Sequence, residues 1–118
     1  MLLIDDDSGI RSTARAILEA VGHVVSEASD GAQGIEMFAQ SDFELVITDL
    51  YMPGKEGIET IQEVLDQGPD TPILAMSGGG GGGGGALVDA QLLGAAATLK
   101  KPFTAAQLRD AVSKLIPG

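Results

Sequence analysis

The chain opens on Met1-Leu2-Leu3-Ile4-Asp5-Asp6-Asp7, four apolar residues running straight into three acids. A short aliphatic run of this kind reads as a strand whose end carries the acids. Four more such runs follow, at residues 24–28, 45–48, 73–76 and 95–99, and longer segments of helical spacing lie between them. Strands alternating with helical patterns are the signature of βαβ units and a parallel sheet, so the expected fold is a doubly wound, five-stranded α/β domain. The run at 24–28 is the most polar of the five, as an edge strand allows.

The helices are read from periodicity and end signals. Ile10, Ala14, Ile17, Leu18 and Val21 recur on one face, with Ser8 as the N-cap and Gly22 as the stop. Asp30 and Gln33 form a capping pair for a second helix carrying Ile35, Phe38 and Ala39. A third carries Ile58, Ile61 and Leu65 and stops at Gly68-Pro69; a weaker fourth covers 86–93. The last is the clearest, since Thr104 and Gln107 form a capping box and Leu108, Ala111, Val112, Leu115 and Ile116 follow at helical spacing before Pro117. Residues 78–85 are eight consecutive glycines, which predicts a mobile loop beside Ser77. It reads as a low-complexity insertion or sequence uncertainty sooner than as a loose gate.

Composition narrows the function. The 118 residues make one domain, and 44% hydrophobic content is enough for a core without staples. Seven basic residues against seventeen acids give a net charge of -10, which repels nucleic acid and anionic lipid. Only four aromatics are present, Phe38, Phe43, Tyr51 and Phe103, too few for a base-stacking platform. Cysteine is absent and His23 is alone, so thiol catalysis, disulfides and zinc sites are excluded. No run approaches a membrane span and no secretory leader opens the chain, so it reads as soluble and cytoplasmic.

The polar residues that matter stand at strand ends. Asp5, Asp6 and Asp7 follow the first strand, Asp49 the third, Ser77 the fourth, and Lys100 and Lys101 the fifth. Open α/β sheets bind ligands beyond the carboxyl ends of their strands, where the strand order reverses. An order 2-1-3-4-5 would put Asp5 or Asp6 across a crevice from Asp49. Clustered carboxylates need a positive partner, and an all-oxygen set favours a hard divalent ion, magnesium or manganese, over a calcium loop. A carboxylate can itself attack a phosphoryl group when cations neutralise the oxygens, which makes Asp49 the candidate nucleophile, Lys101 the cation and Ser77 a hydroxyl partner. The plainer readings are a helix-capping cluster for the Asp triplet, a capping serine at Ser77 and solvated lysines.

Ile4-Asp5-Asp6-Asp7, Asp49 with Met52-Pro53-Gly54 after it, Ser77, and Lys101-Pro102-Phe103 together resemble the receiver domain of two-component response regulators, in order and spacing, over the whole chain. The resemblance implies that Asp49 is the phosphoacceptor and that Asp5, Asp6, Asp49 and the Tyr51 backbone carbonyl hold magnesium. It implies that Ser77 is the switch hydroxyl, Lys101 the strand-five lysine, the Lys101-Pro102 bond cis, and the strand order 2-1-3-4-5. A histidine kinase or phosphotransfer protein would be the donor, and the face of the fourth helix, fifth strand and last helix would meet an output partner or effector domain. A homodimer is left open. Such a chain is a self-dephosphorylating switch, not an enzyme acting on others, and residues 1–118 would be one receiver domain, alone or cut from a longer regulator.

Three departures stand out: Thr98 takes the place of the usual strand-five aromatic, the glycine run replaces the start of helix four, and the chain begins and ends tight against the domain. Asp7 is left without a role, Lys100 and His23 read as surface residues, and Phe103 as packing. Glu56 and Glu59 fall on the solvated face of helix three. One competing reading is a receiver that binds partners without phosphorylation. Another is an aspartyl-nucleophile phosphatase of the haloacid dehalogenase group, which would need an acid where Tyr51 stands.

Overall fold

The computed structural model describes residues 1–50, 57–77 and 94–116. The readings that fall on Tyr51, Met52-Pro53-Gly54, Glu56, the glycine run, the helix at 86–93 and Pro117 lie outside the described residues. Five strands, β1 (Leu2–Ile4), β2 (Ser26–Ala28), β3 (Val46–Asp49), β4 (Ile73–Ser77) and β5 (Ala97–Lys100), form one sheet. Every neighbouring pair is parallel and the order is β2-β1-β3-β4-β5, as the resemblance implies. The described helices are α1 (Ser8–Glu19), α2 (Gly31–Gln40), α3 (Gly57–Gln67) and α4 (Ala105–Leu115), the last helix of the sequence reading.

Side chains alternate across a strand, and that alternation sorts the core into two layers. Leu2, Ile4, Val46, Ile73 and Ala75 join Phe38, Ile61 and Val64 of α2 and α3 on one face. Leu3, Ile47, Leu74 and Met76 join Ala14, Leu18, Leu108 and Val112 of α1 and α4 on the other. A sheet covered on both sides explains why its central strands read as unbroken apolar runs. α2 approaches β1 closely because Gly34 has no side chain: a Cβ there would collide with Ile4 Cδ1.

The end signals act with two corrections. Asp7, not Ser8, caps α1: its Oδ1 accepts from the amides of Gly9 at 2.8 Å and Ile10 at 3.2 Å. Asp7 is still extended and can turn its carboxylate back onto the helix, whereas Ser8 is already the first helical residue. α1 closes through bonds from the Gly22 and His23 amides to the carbonyls of Glu19 and Leu18, with Gly22 at a φ of 95° that glycine adopts without strain. The Asp30 carboxylate accepts from the Gln33 amide, but the Gln33 side chain returns to Ser29 rather than to Asp30. Both bonds of the Thr104–Gln107 box are present. The second strand starts two residues later than expected, at Ser26, so His23 and the exposed Val24 precede it. Phe103 packs against the α1–α4 layer and Lys100 is exposed.

Candidate functional site

The parallel register brings the predicted residues to one edge. Asp5 follows β1, Asp49 ends β3, Ser77 ends β4 and Lys101 follows β5, so all four stand at carboxyl ends. β1 sits between β2 and β3, and the connections turn to opposite sides there, which is the crevice position expected of a doubly wound sheet. Asp49 pairs with Met76, and Ser77 pairs with Lys100 one step beyond. The Lys101 amide donates to the Ser77 carbonyl oxygen at 2.7 Å, which carries the ladder past the end of β5. The Lys101-Pro102 bond is cis, in agreement with the resemblance.

Lys101 joins the carboxylates. Its Nζ lies 2.6 Å from Asp5 Oδ2 and 3.3 Å from Asp49 Oδ2. Asp5 is fully buried, Asp49 is 5% exposed and Ser77 is fully buried, whereas Asp6 faces solvent. The second oxygen of Asp5 accepts from the Asp7 amide at 2.9 Å. Burial alone would pull the Lys101 ammonium down, but the hydrogen bond to Asp5 and the charge of Asp49 outweigh it and hold the lysine above its ordinary value. Lys101 is therefore a fixed cation throughout the neutral range.

Asp5, Asp6 and Asp49 each offer a carboxylate oxygen, and these atoms all lie within 4.8 Å of one another. Among the described residues, three carboxylates gather here, Lys101 pairs with two of them, and the donors of the cluster are oxygen throughout. That chemistry suits a hard divalent cation and excludes a thiolate or imidazole site. The Tyr51 carbonyl of the sequence reading lies outside the described residues. Asp7, left without a role above, is the α1 cap.

Sequence reasoning assigns nothing to Arg11, yet its Nη1 donates to the Asp5 carbonyl oxygen at 2.6 Å. Its Nε reaches Glu27 Oε1 of β2 at 3.2 Å. The only signal in the sequence is a basic residue one turn into the helix that follows the acids, and spacing along the chain does not say that it folds back under them. Thr98 is half-buried and pairs with Ala75.

A doubly wound sheet of order 2-1-3-4-5 with an acidic pocket at its reversal point defines a flavodoxin-like α/β protein. The comparisons specify which kind. The response regulator receiver domain family matches residues 1–113, and the chain belongs to that family. It is 30% identical to the chemotaxis protein CheY of Halobacterium salinarum over 98% of this chain and 95% of that protein. It is 29% identical to the sporulation initiation phosphotransferase F of Bacillus subtilis over 99% of this chain and 93% of that protein. The receiver domain of NtrX from Brucella abortus superimposes with a TM-score of 0.91 at 27% identity, covering 98% of this chain and 96% of that domain. Receiver domains are the signalling switches of two-component systems and bind magnesium in an acidic pocket. Among the described residues, no helix is long and apolar enough to cross a membrane.

Proposed function

We propose that this chain is one receiver domain whose Asp49 accepts a phosphoryl group from the phosphohistidine of a histidine kinase or phosphotransfer protein. The observation that carries the reading is Lys101 Nζ held between Asp5 and Asp49, which places a cation beside the carboxylate that would attack, where the phosphoryl oxygens would come to lie. An Asp49 carboxylate oxygen forms a bond to phosphorus as the phosphorus–nitrogen bond to the donor breaks. The imidazole leaves with its electron pair, and an acyl phosphate stands on Asp49.

Asp5, Asp6 and Asp49 would hold magnesium, or manganese, with the Tyr51 carbonyl added by the resemblance. Such an ion, when bound, supplies positive charge against the phosphoryl oxygens. Lys101 pairs with one of those oxygens once Asp49 is modified, and the Ser77 hydroxyl binds another. Lys101 and Ser77 join the site to the ends of β5 and β4, so a new doubly negative group would bias how those two strand ends stand. The face that includes β5 and α4 is where an output partner or effector domain would read the change.

The test is intact-mass measurement after incubation with acetyl phosphate and magnesium. Wild type is expected to gain one phosphoryl group and Asp49→Asn none. Equal labelling of the two would overturn the assignment, and no labelling of wild type would leave a receiver that binds partners without being phosphorylated.

A further inference from the structure

Asp5 is held at four points. Its amide donates to the Ala28 carbonyl oxygen at 3.1 Å, and its two carboxylate oxygens accept from the Asp7 amide at 2.9 Å and Lys101 Nζ at 2.6 Å. The fourth contact is the 2.6 Å bond from Arg11 Nη1 to the Asp5 carbonyl oxygen. Arg11 does not stand free. Its Nε is 3.2 Å from Glu27 Oε1, with side chains only 17% and 27% exposed, and the other Glu27 oxygen lies 2.9 Å from Arg15 Nη1. The rigid guanidinium fork therefore spans from the edge strand to the peptide that leaves β1.

That peptide is shared by Asp5 and Asp6. Its oxygen and the Asp6 amide lie in one plane, so fixing the oxygen fixes the direction in which the chain enters Asp6. Asp6 is exposed, so little packing orients its carboxylate and the course of the backbone weighs on where it points. Yet one of its oxygens lies within 4.8 Å of oxygens from the buried Asp5 and Asp49. We infer that Arg11, braced by Glu27, is a positioning residue: it holds the Asp5–Asp6 peptide so that the Asp6 carboxylate converges with those of Asp5 and Asp49 on one divalent cation. The inference rests on the proposed cation site and adds to it the device that aims its exposed ligand.

A purely structural role, tying α1 to β2, would change stability and leave cation affinity alone. Magnesium titration calorimetry on the whole chain, well below the melting temperature of each variant, separates the two. Arg11→Gln is expected to weaken magnesium binding about tenfold, the size seen when partners of metal ligands are removed. Glu27→Gln should weaken it about threefold, and the double variant no more than Arg11→Gln alone, because both act through one bond. Arg11→Lys should restore only part of the loss, since an ammonium cannot serve Asp5 and Glu27 in the same fork geometry. The Asp6 amide resonance, in the clamped peptide, should move in the Arg11 and Glu27 variants before any magnesium is added.

Wild-type affinity in Arg11→Gln, or losses that add fully in the double variant, would overturn the inference while leaving the cation site intact. A wild type that takes up no magnesium overturns the site and the inference together. Should Arg11→Gln fail to fold, Glu27→Gln decides alone, and unchanged affinity there overturns the clamp.

Discussion

Lys101 reaches Asp5 at 2.6 Å and Asp49 at 3.3 Å from the far edge of the sheet, and its side chain is only 12% exposed. Removing one partner of such a pair leaves buried charge uncompensated, which costs about 3 kcal/mol. Lys101→Met is therefore expected to lose about that much stability in urea titrations without divalent cation. Magnesium should return part of it, because the cation takes over the neutralising role. Asp5→Asn in the Lys101→Met background should likewise recover stability, since one of the facing charges is gone. The pH dependence follows from direction. The folded lysine titrates above its ordinary value, so its contribution is complete below that ordinary value and fades only as pH rises through the folded one. Glu27 runs the other way: hydrogen bonds from Arg15, then Arg11, hold it below the usual carboxylate range against the effect of its burial. Its contribution is present above the ordinary carboxylate value and is lost as pH falls through the folded one. Stability curves of wild type and Glu27→Gln should accordingly converge in acid and separate toward neutrality.

At the scale of elements, two local devices set how the helices start and how closely they dock. Thr104 accepts from the Gln107 amide at 3.1 Å while Gln107 Oε1 accepts from the Thr104 amide at 2.8 Å. Thr104→Ala should cost about 1 kcal/mol, and Thr104→Ser much less, in the same urea titrations. Gly34 is a packing position, since a Cβ there would stand 2.8 Å from Ile4 Cγ1 as well as against its Cδ1. Overpacking typically costs 1–3 kcal/mol and the helix gains up to about 1 kcal/mol from alanine. Gly34→Ala should thus be destabilising by about 1–2 kcal/mol, and Ile4→Val in that background should recover part of the loss. Ile4 immediately precedes Asp5, so the same variant should also disturb magnesium binding. Thr104→Ala, remote from the pocket, should leave that binding unchanged.

For the molecule as a whole, the sheet edge couples folding to the cation. Asp5, Asp6 and Asp49 come together only in the folded chain, so a cation they share stabilises by mass action, about 2.7 kcal/mol at a hundredfold excess over Kd. Thermal melts should shift upward with magnesium in wild type and much less in Asp6→Asn, whose substitution is at an exposed position and leaves the core intact.

Among the described residues, the sequence alone was sufficient for the elements that periodicity and most of the end signals govern. Five apolar runs became five strands, the Thr104–Gln107 box formed, and Gly22 stopped α1, because periodicity and end chemistry act within a few residues. The family resemblance supplied the strand order, which no local signal carries. Where local rules competed, the outcome went to geometry: Asp7 rather than Ser8 capped α1, and Gln33 turned back to Ser29. Only the tertiary structure decided that Lys101 spans to two carboxylates and that Arg11 grips the Asp5 carbonyl while Glu27 braces it. Those contacts join residues from different strands and helices, ninety-six positions apart in the case of Lys101 and Asp5. They exist because parallel strands deliver their carboxyl ends to one edge, and a side chain's partner across that edge is set by packing rather than by its neighbours in the chain.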